Sequence, residues 1–452
     1  MDLLIRGGHL VTSAGVERAD IGIAAGKIVA IGDLGGGAAA ETLDATHLHV
    51  LPGAIDTQVH FREPGLEHKE DLESGTRAAL HGGVTAILEM PNTNPNTTDA
   101  ATLADKLHRA EGRAWCHYGF FVGATAENAA ELGDLEQLPG TPGIKIFMGS
   151  STGSLLVADD EALRSVLRHG RFRCPVHAED EPRNRERKAL LSANPHWREH
   201  PHLRDAESAM LATARLLALS QETGRPVHVL HISTADEPDM IAKAREMGVD
   251  VTCEVTPQHL YFSAEDAYER LGSFAQMNPP IRSADHRDGL WRALEAGKFT
   301  VFGSDHAPHT REEKALPYPQ SPSGMPGVQT LLPVLLTFAA QGRLDLPTIA
   351  RMLSDRPARM YGIAGKGRIE VGADADLAIV DAARSYRFDD RMVQSKCGWS
   401  PYSGDTLTGG VSHVVLGGRL ALRDGERVGE PRGQALAFGP DRPSANALHA
   451  SS

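Results

Sequence analysis

The chain has 452 residues, too many for one ordinary small domain and suited to a barrel with an accessory domain. Hydrophobic residues make up 41% and aromatics only 5%, so a sizeable core must be packed mainly by aliphatic side chains. A net charge of -13 argues against a nucleic-acid footprint but leaves room for a local positive pocket that takes a small anion.

The opening MDLLIRGGHL runs straight into strand-like sequence, so no leader is expected. No apolar stretch of about 18 residues follows, and a soluble, cytoplasmic protein without a membrane partner is expected. Residues 1–50 read as short strands broken by glycine, and residues 361–430 read the same way. Two β-rich flanks around a long α/β middle predict a small β-sandwich built from both chain ends. The middle, residues 51–360, alternates β-like with helix-like runs. Its β-like runs are GAIDTQVH, VTAILEM, CHYGFFVG, GIKIFM, CPVHAE, VHVLHI, VTCEVT and FTVFGS. Eight such runs predict a (β/α)8 TIM barrel as the catalytic domain. Residues 431–452 are polar and rich in Pro, Gly and Ala, which predicts a loosely held tail. The scattered cysteines Cys116, Cys174, Cys253 and Cys397 form no CxxC pair and read as free thiols.

His60, Asn92, Lys145, His177, His231 and Asp305 each lie at or just past the C-terminal end of a predicted strand. That mouth of a TIM barrel is where catalytic groups gather, so residues far apart in sequence are expected to converge there. Three histidines on separate strand ends suit a metal with nitrogen ligands. His228 precedes His231 by three residues in the same run, and strand alternation aims it at the opposite face, in a structural role. Lys145 leaves two readings open. It either reaches the rim to pair with a carboxylate, or it is desolvated enough to lose its proton and take up carbon dioxide as a carbamate. Asp305 is either a metal ligand that also takes a proton from water, or a carboxylate that orients a neighbouring histidine.

The motifs HFREPG (60–65), MPNT (90–93), GIKIFMGSSTG (143–153), HAED (177–180), HIS (231–233), MNPP (277–280) and GSDHAPH (303–309) together resemble the dihydroorotases of the amidohydrolase superfamily. GMPGVQTLLP (324–333) and KCGWSPY (396–402) fit the same family, and the likeness runs over about residues 1–428. The resemblance implies a zinc enzyme with one or two ions per chain and carbon dioxide bound as the Lys145 carbamate. One zinc would be held by His60, Lys145 and Asp305, the other by Lys145, His177 and His231, with a bridging hydroxide. Asp305 would act as general acid and base. Arg62, Asn92 and His309 would hold a substrate carboxylate, and Asn278 would touch the substrate ring. The implied reaction is reversible hydrolysis of dihydroorotate to N-carbamoyl-L-aspartate in pyrimidine biosynthesis. The implied partner is a small carboxylated cyclic amide, and the implied assembly is a homodimer or homotetramer.

One departure stands out. The family carries HxH on the first strand, but this chain has Gln58 two residues before His60. Glutamine is a neutral, poor zinc ligand, so the first metal is expected to bind weakly or be absent. Gln258 also stands where the family often has histidine, and neither it nor His259 is given a catalytic role. The alternatives are an allantoinase, a hydantoinase or dihydropyrimidinase, and a non-catalytic partner of aspartate transcarbamoylase; Gln58 points toward the last. Three features read as bland or open. RNRERK (183–188) is a solvated helix face, GSSTGS (149–154) is a barrel loop, and the polar loop 311–324 either closes over the site or is a surface excursion.

Overall fold

A computed structural model describes residues 1–150 and 155–450. The chain ends build one sheet together. Its early strands are β1 (Leu3–Thr12), β2 (Gly15–Ala24), β3 (Lys27–Gly32), β4 (Glu41–Asp44) and β5 (His49–Pro52). The barrel strands follow: β6 (Ala54–Val59), β7 (Val84–Glu89), β8 (His117–Phe120), β9 (Val122–Gly123), β10 (Ile144–Phe147), β11 (Cys174–His177), β12 (Val227–Val229), β13 (Val251–Val255) and β14 (Val301–Phe302). The chain then returns to the first sheet with β15 (Leu377–Arg387), β16 (Thr406–Leu416), β17 (Arg419–Arg423) and β18 (Glu426–Arg427). That sheet runs β18-β17-β16-β15-β5-β1-β2-β3, with β4 paired to β1. It encloses its own core of Leu3, Ile5, Leu10, Ile21, Ile23, Ile28, Val50, Leu377 and Ile379.

The barrel strands pair in parallel, β6-β7-β8 and β9 through β14, and β8 and β9 are two halves of a single predicted run. The ring closes where Val59 bridges His306 and the His60 amide donates to the His306 carbonyl. Its strands are buried along their full length, as continuous apolar runs flanked by helices should be. The helices carry their own boundary signals. Asp71 caps Leu72–His81 by accepting from the Ser74 amide, and Asp205 caps Ala206–Thr223 in the same manner. Gly224 ends the second helix at φ +70°, a left-handed conformation that glycine takes without a Cβ penalty. Among the described residues no helix is long and apolar enough to cross a membrane.

The β domain is tied to the barrel through Asp376, which is buried. It accepts from Gly417 N at 2.7 Å and from His117 Nε2 at 3.3 Å, and it pairs with Lys366 Nζ at 2.5 Å. Burial pushes this carboxyl up, but His117, Lys366 and the Gly417 amide together hold it below its ordinary 3.8. A depressed folded pKa stabilises the protein above the unfolded value, and the contribution is lost as pH falls through the folded one. We therefore expect unfolding free energy to drop below about pH 4, and Asp376→Asn to flatten that acid limb in denaturation curves taken across pH.

The expected loose tail is not observed. Leu436 and Leu448 are buried in one cluster with Ile55, Leu88 and Val301. Gln434 O and Leu436 N bond to Tyr118, Arg442 donates to Pro142 O, Ala445 N donates to Asp250, and His449 meets Thr300. Tyr118 lies within β8, while Pro142, Asp250 and Thr300 directly precede β10, β13 and β14, so much of the segment seals the barrel's base opposite the mouth. Its few apolar residues were masked in the sequence by the surrounding Pro and Gly.

Candidate active site

The predicted residues meet at the C-terminal mouth, and three of them hold unusual backbone. Arg62, His231 and Asp305 adopt φ of +68°, +34° and +46°. Such strain is retained only where the surroundings over-determine it, and it clusters at functional sites. His60 Nε2 lies 3.3 Å from Asp305 Oδ1, and its Nδ1 lies 2.7 Å from Asn92 Oδ1. His177 Nδ1 and His231 Nε2 lie 3.0 Å apart, and Glu179 Oε2 stands 2.9 Å behind His177 Nε2. Arg204 in turn pairs with Glu179.

Lys145 is near enough to both pairs for its charge to act on His60, Asp305, His177 and His231. It is wholly buried, its Nζ lies 4.3 Å from the Phe147 ring centre, and no hydrogen-bond partner reaches it among the described residues. The rim-lysine reading is thereby excluded. Burial pushes the amine well below its ordinary range, and the charges of Asp305 and Glu254 only partly oppose this. Burial is also the first cause that drives His60, His177 and His231 down, so all three imidazoles are neutral and able to donate electron pairs. Asp305 is pushed well up by burial and by Glu254, against Lys145 and Arg62.

Among the described residues no three His, Cys, Asp or Glu side chains form a ligating group. The arrangement supplies two pairs, His60 with Asp305 and His177 with His231. A buried amine and His231 Nδ1, neither with a hydrogen-bond partner among the described residues, fit a centre completed by a metal ion, with Glu179 on the far nitrogen of His177.

The anion-binding residues also come together. Arg62 is buried, with Nε on Pro308 O at 3.1 Å and Nη2 at 3.3 Å from His309 Nε2, while Nη1 has no partner among the described residues. Burial lowers it only to about 10, so it stays charged. Lys69 Nζ is 3.1 Å from His309 Nδ1, and Trp399 of KCGWSPY holds the His309 carbonyl at 2.8 Å. Asn278 stands somewhat apart, its Oδ1 2.9 Å from His200 Nε2, on a cavity of about 360 Å³ shared with Arg204, Gln276 and Tyr318. Residues 318–323 of the polar loop line that cavity, and the loop is pinned by buried Lys314, whose Nζ donates to Gln276, Pro322 and Gly324 carbonyls. Residues 151–154 of GSSTGS lie outside the described residues. RNRERK is balanced by acids: Arg183 and Arg187 pair with Asp205, and Arg185 pairs with Glu181.

Several supports escaped sequence reasoning. Glu254 accepts from Thr57, His228 and the His231 amide and forms the polar floor of the mouth. His228 is structural as expected, but the alternation argument was wrong. β12 ends at Val229, and His231 lies beyond the strand at positive φ. Gly65 (φ +94°) lets HFREPG pack on the MPNT loop, since a Cβ there would meet Asn94 O at 2.0 Å. Glu89 accepts from Phe61 N at 3.0 Å, between His60 and Arg62, and pairs with Lys106 at 2.8 Å; both are fully buried. Lys106 also holds Met90 O beside Asn92. Lys106→Met should cost about 3–5 kcal/mol in urea unfolding, because it strands a buried carboxylate.

The model for the Amidohydrolase family matches residues 49–421. The chain belongs to the amidohydrolase family. Relatives span almost its whole length. An allantoinase of Deinococcus radiodurans is 36% identical over 96% of this chain and 98% of that one. A dihydroorotase of Methanosarcina mazei is 36% identical over 89% and 90%. Among solved structures, the L-hydantoinase (dihydropyrimidinase) from Arthrobacter aurescens superposes with a TM-score of 0.91 at 30% identity, covering 96% of this chain and 99% of that one. This amidohydrolase is therefore a hydrolase built on a TIM barrel with a β domain.

Proposed function

We propose that this amidohydrolase opens and closes the ring amide of a carboxylated cyclic substrate, with dihydroorotate as the substrate and N-carbamoyl-L-aspartate as the product. The observation that carries the reading is Arg62: a buried, charged guanidinium at the mouth, whose Nη1 has no hydrogen-bond partner among the described residues, with His309 and Lys69 beside it. A carboxylate meets such a group in paired, planar hydrogen bonds and relieves its isolation.

Lys145, as a neutral amine, would add carbon dioxide and release a proton, giving a carbamate that would offer two oxygens as metal ligands. His60, Asp305, His177, His231 and this carbamate are the residues that would hold zinc. When bound, zinc lowers the pKa of water toward neutrality and polarises an amide carbonyl. Asp305 has one oxygen, Oδ1, engaged by His60 and Gln58, which leaves Oδ2 to move a proton. It takes that proton from the attacking water and delivers it to the ring nitrogen as the C–N bond breaks. Arg62 fixes the substrate carboxylate and so sets which ring carbonyl is attacked.

The second reading, an allantoinase, is favoured by relatives of that name at 36% and 38% identity across almost the full chain. Allantoin carries no carboxylate for Arg62 to grip. Steady-state assays on dihydroorotate, allantoin and a simple hydantoin decide between them. We expect kcat/KM highest for dihydroorotate and KM for it raised about 100-fold by Arg62→Met, since a charged hydrogen-bonded pair is lost. Preference for allantoin, or an unchanged KM, overturns the assignment.

A further inference from the structure

We infer that the centre is asymmetric: one zinc ion is held tightly at Lys145, His177 and His231, and Gln58 makes the half that carries His60 and Asp305 a weak site. The inference rests on the zinc reading above and concerns residues that reading leaves unexplained.

The two halves differ in what stands behind and beside each donor. In the tight half, His177 Nδ1 and His231 Nε2 already converge at 3.0 Å, with ring centres 4.8 Å apart. The hydrogen bond between these two ring nitrogens already brings both donors to one point, so little rearrangement is needed for both to meet a cation. Behind His177 stands Glu179, a buried carboxylate, and a carboxylate on the far nitrogen strengthens an imidazole as a donor. His231 is held from its backbone by Glu254, so its ring is placed before any ion arrives.

In the other half, the group behind His60 is the neutral amide of Asn92. The remaining donor, Asp305, is already engaged. Gln58 Nε2 donates to Asp305 Oδ1 at 3.0 Å, and that same oxygen is the one facing His60 Nε2. An amide N–H has no electron pair to offer a cation and competes for one that Asp305 would otherwise give. The amide oxygen of Gln58 is buried without a partner among the described residues, so its side chain is held by the Asp305 bond alone there. Gln58 thus acts as a positioning residue for the Asp305 carboxylate and leaves that half without the other histidine of the HxH pattern, with only Lys145, His60 and Asp305 as donors.

The test is metal binding by the full chain. Metal-free protein in bicarbonate buffer is titrated with zinc chloride by equilibrium dialysis, with zinc counted by mass spectrometry. We expect two binding steps separated by at least about tenfold, with one zinc per chain retained after dialysis. His231→Ala should lose the retained ion, His60→Ala should keep it, and Gln58→His should retain two. Two zinc ions held with equal affinity by the wild type overturn the inference, as does a natively folded Gln58→His with unchanged stoichiometry. If Gln58→His does not fold, the wild-type isotherm alone decides. A wild type that binds no zinc instead removes the metal reading on which the inference stands.

Discussion

Replacing Lys145 with Met should remove retained zinc and turnover together, lowering kcat by roughly 10⁴-fold or more. The magnitude follows from the position of the side chain. Its Nζ is buried, has no hydrogen-bond partner among the described residues, and acts electrostatically on members of both pairs, neither of which has a third His, Cys, Asp or Glu donor there. Methionine has similar length and no polar head, so the barrel should survive. It should even gain stability when metal-free, because an unpaired amine is no longer kept from water. Zinc content, turnover and thermal unfolding of one preparation check all three. Lys145→Ala leaves room for a small molecule, and a short carboxylic acid added in solution should restore part of the activity by supplying two oxygens where the carbamate had them. Full zinc and normal turnover in Lys145→Met would take Lys145 out of the centre.

Asp305→Asn is the second large effect. The substitution keeps the shape and removes the proton carrier, so kcat should fall by about 10²–10⁴-fold with KM little changed. It also sets an amide against the Gln58 amide, which can still pair with it oxygen to nitrogen, so folding should be preserved. The retained zinc, held by the opposite histidine pair, should stay. A variant that turns over normally would assign the proton transfer elsewhere.

Much of the architecture could be read from the sequence because the barrel writes itself repetitively. Each of the eight predicted runs contains a strand, one of them split into β8 and β9; His60, Asn92, His231 and Asp305 follow strand ends and His177 closes one, whereas Lys145, expected at a strand end, lies inside β10 as its second residue. What stayed hidden has a common physical form. Glu89 with Lys106, Glu254 with Thr57 and His228, and Gln58 with Asp305 are buried polar pairs whose members are separated by up to 247 residues. A charge inside an apolar run looks the same whether it faces water or a distant partner. Glu179 was within reach, since it sits two residues past His177 in HAED, but only the fold shows that it stands behind the imidazole. The alternation rule misplaced His228 because it was carried beyond the last residue of a three-residue strand.

The basal segment from Gln434 to His449 also bears on how the molecule opens. It knits together β8 and the approaches to β10, β13 and β14, and its Leu436 and Leu448 pack with Ile55, Leu88 and Val301. Local release of this one segment would bare an adhesive apolar underside while the strands above it stay paired, which makes the base the part of a partly opened molecule most prone to chaperone capture or mispairing with another chain.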